Sequence, residues 1–252
     1  MSEWKNRLKA AAVHLGISLL VAGCAAVLVF GVWYPYPYRE ISGGRELFLL
    51  VVGVDVVLGP LFTFIVFSRA KPRTELVRDL ALVGLIQLAG LGYGLWTVHQ
   101  ARPVHLVFEL DRFRAVHAVD VPEELLSRTP AGVDPLPLTG PTLLAVRPFA
   151  SAQEGTDATL AALQGVSLAS RPDLWQPYVQ AVPRVLGAAR PVEQLKRRFS
   201  GHAAEIDQLI AATGRPEGAL VVLPLAARKS FWTVVLDART AQVLGYLPLD
   251  SF

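Results

Sequence analysis

Asp55 lies inside an apolar run over residues 47–67, long enough to cross a bilayer. An ionisable side chain at that depth costs roughly 3 kcal/mol on insertion scales. Gly59 and Thr63 follow at i+4 and i+8, so the three residues share one stripe of a helix. Pro60 removes a backbone donor within the same turn and is expected to kink the helix. A small, polar stripe suits close packing of helices in lipid. One carboxylate with no second acidic group in the apolar segments is too little for a proton relay, so the chemistry expected of Asp55 is hydrogen bonding to a neighbouring helix. Counted by depth, its partner in the third apolar segment is expected to be Tyr93, with Gln87 a turn or two below. Gly90 and Gly94, four residues apart, are expected to admit a neighbouring backbone.

The chain lacks the phosphate-binding, nucleophile-elbow, zinc-protease and CxxC motifs. Its five histidines, at 14, 99, 105, 117 and 202, form no pair at metal-ligand spacing. His105 and His117 face each other across an expected hairpin, but two ligands make a poor zinc site, and both are read as surface residues. Neither a cofactor nor an enzymatic activity is expected.

Three apolar segments must position the stripe: residues 10–34, 47–67 and 80–98. The first is preceded by Lys5, Arg7 and Lys9 and ends in Trp33 and Tyr34, which favour a membrane interface. The segment over residues 68–79 carries Arg69, Lys71, Arg73 and Arg78. Basic residues mark the cytoplasmic side. The N-terminus and this loop are therefore expected in the cytoplasm, with everything after residue 100 outside. The apolar run is too long for an ordinary cleaved signal. Leu20 to Cys24 resembles a lipobox, yet the chain stays apolar after Cys24; the simpler reading is a small residue at a helix contact beside Gly23. The sole cysteine excludes an intrachain disulfide.

Residues 1–100 carry nine Lys+Arg against six Asp+Glu, whereas residues 101–252 carry fifteen of each. The neutral second half offers no basic face for nucleic acid. It reads as an α+β domain with an antiparallel sheet of five or six strands. Strands are expected at 104–109, 113–119, 143–149, 220–225, 231–237 and 242–247, the first half-buried by its alternation. One helix is expected over 192–213, capped by Gly214, and a shorter one over 156–163 started by Thr156. One or two short helices are expected near residues 174–189, interrupted by Pro177 and Pro183, and the Lys196-Arg197-Arg198 run is read as a solvated face.

The run Leu50-Val51-Val52-Gly53-Val54-Asp55-Val56-Val57-Leu58-Gly59-Pro60-Leu61 resembles the most recognisable motif of the TfpX/TfpZ family of type IV pilin accessory proteins. The likeness continues at Trp33-Tyr34-Pro35, Asp79-Leu80-Ala81, Leu91-Gly92-Tyr93-Gly94, Ala101-Arg102-Pro103-Val104, Val107-Phe108-Glu109 and Asp111-Arg112-Phe113. It covers residues 1–120 well and the remainder in outline. The resemblance implies a bacterial inner-membrane protein that assists pilin supply or pilus assembly, with pilin or assembly proteins as partners and a periplasmic domain. It implies no cofactor or catalytic residue. On that reading, Asp55, Gly59, Pro60, Thr63, Gln87 and Tyr93 are helix-contact or client-binding candidates. The alternative is a membrane-anchored periplasmic ligand-binding or sensor protein.

Overall fold

The computed structural model describes residues 3–252. Its helices include three long and apolar enough to cross a membrane, spanning Glu3–Trp33, Gly44–Val66 and Arg73–Gln100. The first comprises α1 (Glu3–Leu28) and a π-helical turn, Val29–Trp33. A short α2 (Tyr38–Ile41) precedes α3 (Gly44–Val66) and α4 (Arg73–Gln100). α1 and α4 start well before their apolar segments. Lys5, Arg7 and Lys9, and likewise Arg73, Glu75 and Arg78, are good helix formers, so the helix runs on through its charged flank. Pro60 does not end α3, which continues to Val66. In a bundle, neighbouring side chains can meet backbone groups around a proline.

The chain divides into two compact units. One holds the chain up to Arg39 with Gly43–Ala101; the other holds Glu40–Ser42 with Arg102–Phe252. In the first, α3 packs against both α1 and α4, while α1 and α4 scarcely meet. Its small core gathers Ala25, Val29, Tyr34, Phe48 and Val98. Tyr34 is fully buried, with its hydroxyl donating to the Val98 carbonyl at 3.1 Å. Cys24 is exposed, and a side chain at Gly23 would meet nothing, so neither stands at a helix contact.

The second unit is α+β, as the alternation of strand and helix patterns implies. In chain order it contains β1 (Pro103–Glu109), β2 (Arg112–His117), β3 (Thr142–Val146), α5 (Ala152–Leu163), β4 (Trp175–Pro177), α6 (Val182–Ala188), β5 (Arg190–Pro191), α7 (Val192–Arg198), α8 (Ala203–Thr213), β6 (Leu220–Ala226), β7 (Phe231–Asp237) and β8 (Val243–Leu247). The sheet order is β4-β3-β1-β2-β6-β7-β8, with β5 also on β6. The sheet is mixed rather than antiparallel, because β1 pairs with β3, and β2 with β6, in parallel. The β1–β2 hairpin sits in the middle, and later strands join its two sides after long connections, which frees their direction from the hairpin rule.

Its central place buries β1 along its whole length, not on one face only. His105 is consequently a core residue. Its Nδ1 lies 2.6 Å from the Thr142 hydroxyl and its Nε2 3.0 Å from the Pro135 carbonyl, with the ring edge-on to Trp175. His117 is buried too, opposite Pro103 rather than His105. The expected 192–213 helix breaks at Phe199, where Ser200 and Gly201 turn the chain through a 3-10 segment, and α7 and α8 pack separately on the sheet. Gly214 closes α8 at φ 66°, as expected of a C-cap. α5 starts at Ala152, four residues ahead of the Thr156 start expected, and is capped by Ser151, whose hydroxyl accepts the Glu154 N–H. Lys196 is tied to Asp207 and Glu217 rather than merely solvated. Ile41, from the short Glu40–Ser42 segment, is fully buried, and its carbonyl accepts the Lys229 N–H at 3.0 Å.

Burial lowers the His105 pKa from 6.5 to about 4, against the opposing pull of the Pro135 carbonyl and Asp134. The folded value is depressed, so the contribution to stability is complete above pH 6.5 and is lost as pH falls toward 4. The unfolded chain takes up a proton in that window and the native one does not. A shift of this size corresponds to about 3 kcal/mol at most. Urea unfolding between pH 7 and pH 4 should show that decline, with His105 in the native protein titrating near the bottom of the window by NMR. A normal His105 titration near 6.5 would contradict it.

A carboxylate seat between the membrane helices

The expected stripe forms, but its partners divide between two helices. Gln87 of α4 reaches α3 with its amide nitrogen, donating to Asp55 Oδ1 at 3.0 Å and to the Asp55 carbonyl at 3.1 Å. Gly59 lies one turn along, buried; a Cβ there would overlap the Gln87 amide. Glycine at 59 is therefore what lets Gln87 reach the carboxylate. A second close approach sets Gly94 of α4 against Val51 of α3, where a Cβ would strike the valine methyls. Thr63, also buried, turns to α1 and shares a 2.5 Å hydrogen bond with His14 Nδ1. Pro60 stays within α3 between these contacts.

Tyr93 does not bond Asp55. The two close approaches set the antiparallel register of α3 and α4 and bring Asp55 opposite the neighbourhood of Gly90, a turn short of Tyr93. Tyr93 is 70% exposed and stacks obliquely on Trp96. Equal depth does not make two residues partners, because each must also lie on the facing side of its helix. Gly90 meets no neighbour, so Gly94 alone of that pair marks a contact. His14 is not among the helix-contact residues expected from the sequence. Its position, a polar residue within an apolar segment, is the signal that finds it.

Asp55 and Gln87 border two hollows in this unit. One, of about 380 Å³, is lined by Leu50, Val54, Leu58 and Tyr93 among others. The other, of about 230 Å³, lies where α1 and α4 fail to meet and is lined by His14, Ser18, Val21 and Leu91 among others. Both walls are almost wholly apolar apart from these polar groups. The arrangement is suited to hydrogen bonding in an apolar medium: one amide donor satisfies part of a carboxylate that still has acceptor capacity. Among the described residues, no group of three His, Cys, Asp or Glu could hold a metal ion.

Three apolar helices carrying a polar contact seat, followed by an α+β unit, describe a class of membrane-associated protein. A model of the family described as fimbrial assembly protein FimB matches residues 2–43. The fimbrial assembly protein of serogroup I from Dichelobacter nodosus is 36% identical over 247 residues, covering 97% of this chain and 95% of that protein. Its serogroup E1 counterpart is 33% identical over 246 residues with the same coverage. A third, from serogroups C1 and C2, is 43% identical over 113 residues, 45% of this chain and 86% of its own length. This chain belongs to the fimbrial assembly protein family. No solved structure matches it.

Replacing Gly59 with Ala should push α4 away from α3 by crowding the Gln87 amide. The expected loss is roughly 1–3 kcal/mol, the usual penalty for overpacking. Combining Gly59→Ala with Gln87→Ala should recover part of it, because the crowded group is gone. Thermal unfolding of the four proteins in detergent, read as a double-mutant cycle, checks this; additive losses would show that the two residues do not meet.

Proposed function

We propose that this protein assists fimbrial assembly by holding the membrane helix of a fimbrial subunit, specifically a type IV pilin, in the hollows beside Asp55. The observation that carries the reading is the Asp55–Gln87 seat, bordering two apolar hollows, in a chain aligned along 97% of its length with a fimbrial assembly protein. A carboxylate with spare acceptor capacity is expensive in lipid unless something donates to it. A client helix with a donor at mid-depth supplies that partner, and its apolar flanks fill the hollows. The basic N-terminal segment and the basic segment at residues 68–79 support a cytoplasmic N-terminus in the bacterial inner membrane, with the α+β unit in the periplasm beside the subunit's head. The role is binding rather than catalysis. The family resemblance to the TfpX/TfpZ accessory proteins fits the same assignment.

Photo-crosslinking side chains placed at Val54 and Leu91, which line the hollows, should capture the pilin subunit, while one at Val27, 74% exposed and away from both, should not. Asp55→Asn keeps an acceptor and should preserve capture. Asp55→Leu should weaken it about threefold to tenfold, the range of a hydrogen bond between membrane helices. Absence of capture from either hollow, with normal fimbriae in a deletion strain, would sink the proposal.

A further inference from the structure

The α+β unit contains a polar hollow of about 400 Å³ that the membrane seat does not use. Its position follows from the sheet. β6 shares one edge between β5, at Val221 and Val222, and β2, at Leu225 and Ala226. The parallel β2–β6 pairing thus lasts only two residues, and Ala115 to His117 run on without a β6 partner. Chain order also breaks here: the connection from β2 leads to one side of the sheet, while β6 continues to the other through β7. In open parallel sheets, the crevice beyond the carboxyl ends of two strands at such a reversal is the usual place for a ligand.

The lining has a definite chemistry. Arg114 and Arg228 stand on it with side chains 38% and 44% exposed. Arg114 gives only its Nε to Glu109, at 2.5 Å, and Arg228 only one terminal nitrogen to Asp120, at 2.6 Å. Each guanidinium keeps further donors. Asp120 also accepts from the His117 backbone N–H, and its Oδ2 lies 3.0 Å from His117 Nδ1. His117 is 1% exposed, and its Nε2 is buried without a hydrogen-bond partner. Buried polar atoms left unpaired are rare in native proteins and call for a reason. Val119, Val166 and Ala227 supply apolar wall.

We infer that this hollow binds the carboxylate of a residue-sized organic molecule, held by Arg114 and Arg228. Each guanidinium already has one carboxylate partner, Glu109 for Arg114 and Asp120 for Arg228, so recognition rests on the N–H donors that each still offers to the hollow rather than on an excess of charge. A phosphate, nearer two negative charges at neutral pH, would meet Asp120 unfavourably. The guanidinium fork matches a planar carboxylate, and the volume exceeds that of a bare ion, so the apolar wall takes the rest of the molecule. The same chemistry is offered by the C-terminus of a peptide and by a free small acid. This inference is independent of the membrane seat.

The test uses the full chain in detergent, titrated calorimetrically with N-acetyl-alanyl-valine, its C-terminal amide, acetate and inorganic phosphate. The free acid should saturate the site below about 10 mM, and its amide should bind at least about tenfold more weakly. Arg228→Gln should weaken the acid about tenfold with little change in melting temperature, since that side chain reaches solvent. Arg114→Gln should weaken it to a similar extent but also lower the melting temperature, because it takes the cation from the buried Glu109. Acetate matching the dipeptide acid would point to a free small acid as the source; the dipeptide acid binding much the tighter would point to a chain terminus. Equal binding of acid and amide, preference for phosphate, or no saturation by either carboxylate would overturn the inference.

Discussion

A carboxylate in the middle of an apolar bundle must be given donors, and the first unit is arranged to give one. Gln87 reaches Asp55 only because Gly59 lacks a side chain, and Gly94 lets Val51 close the same helix pair two turns away. The spacing of α3 and α4 therefore follows from the two hydrogen bonds of one amide and from two absent side chains. α1 is held to α3 by a different polar pair, His14 with Thr63. Because α3 takes both neighbours, α1 and α4 have little left to share, and the hollow between them follows from that division of contacts.

The α+β unit works by another rule. Its centre is a strand buried on both faces, which makes polar residues there answerable to the interior. His105 meets this with two hydrogen bonds and stays neutral. Glu109 meets it with Arg114 and the Ala169 N–H. Arg102 spends its guanidinium on the Leu136 and Pro137 carbonyls, pinning the proline-rich segment that no regular element holds. In the membrane helices, polar groups are few and select neighbours; in the sheet they are more numerous and mostly secure loops.

Much of this was legible in the residues. Long apolar segments, the Asp55–Gly59–Thr63 stripe, the hairpin strands expected at 231–237 and 242–247, and the Gly214 cap each depend on local pattern, and local pattern is what a sequence displays. The failures were non-local. Which face of α4 meets Asp55 depends on packing, so Gln87 and not Tyr93 became its partner. The parallel pairings of β3 and β6 depend on where a strand returns after a long connection. The two-residue β5 and three-residue β4 are too short to carry a periodicity at all. His105 and His117, expected at the surface, are buried, since alternation says nothing about whether the second face is also covered.

The short Glu40–Ser42 segment has a consequence for how the protein is made. Ile41 is translated some sixty residues before the rest of the unit it belongs to, with two long helices in between. The chain emerges N-terminus first, so Ile41 waits until Lys229, whose N–H its carbonyl accepts, has been synthesised. A fragment cut at residue 102, the obvious boundary for producing the α+β unit alone, would leave behind the buried Ile41 and the carbonyl that holds the Lys229 N–H. The unit is one body in space but two pieces in time.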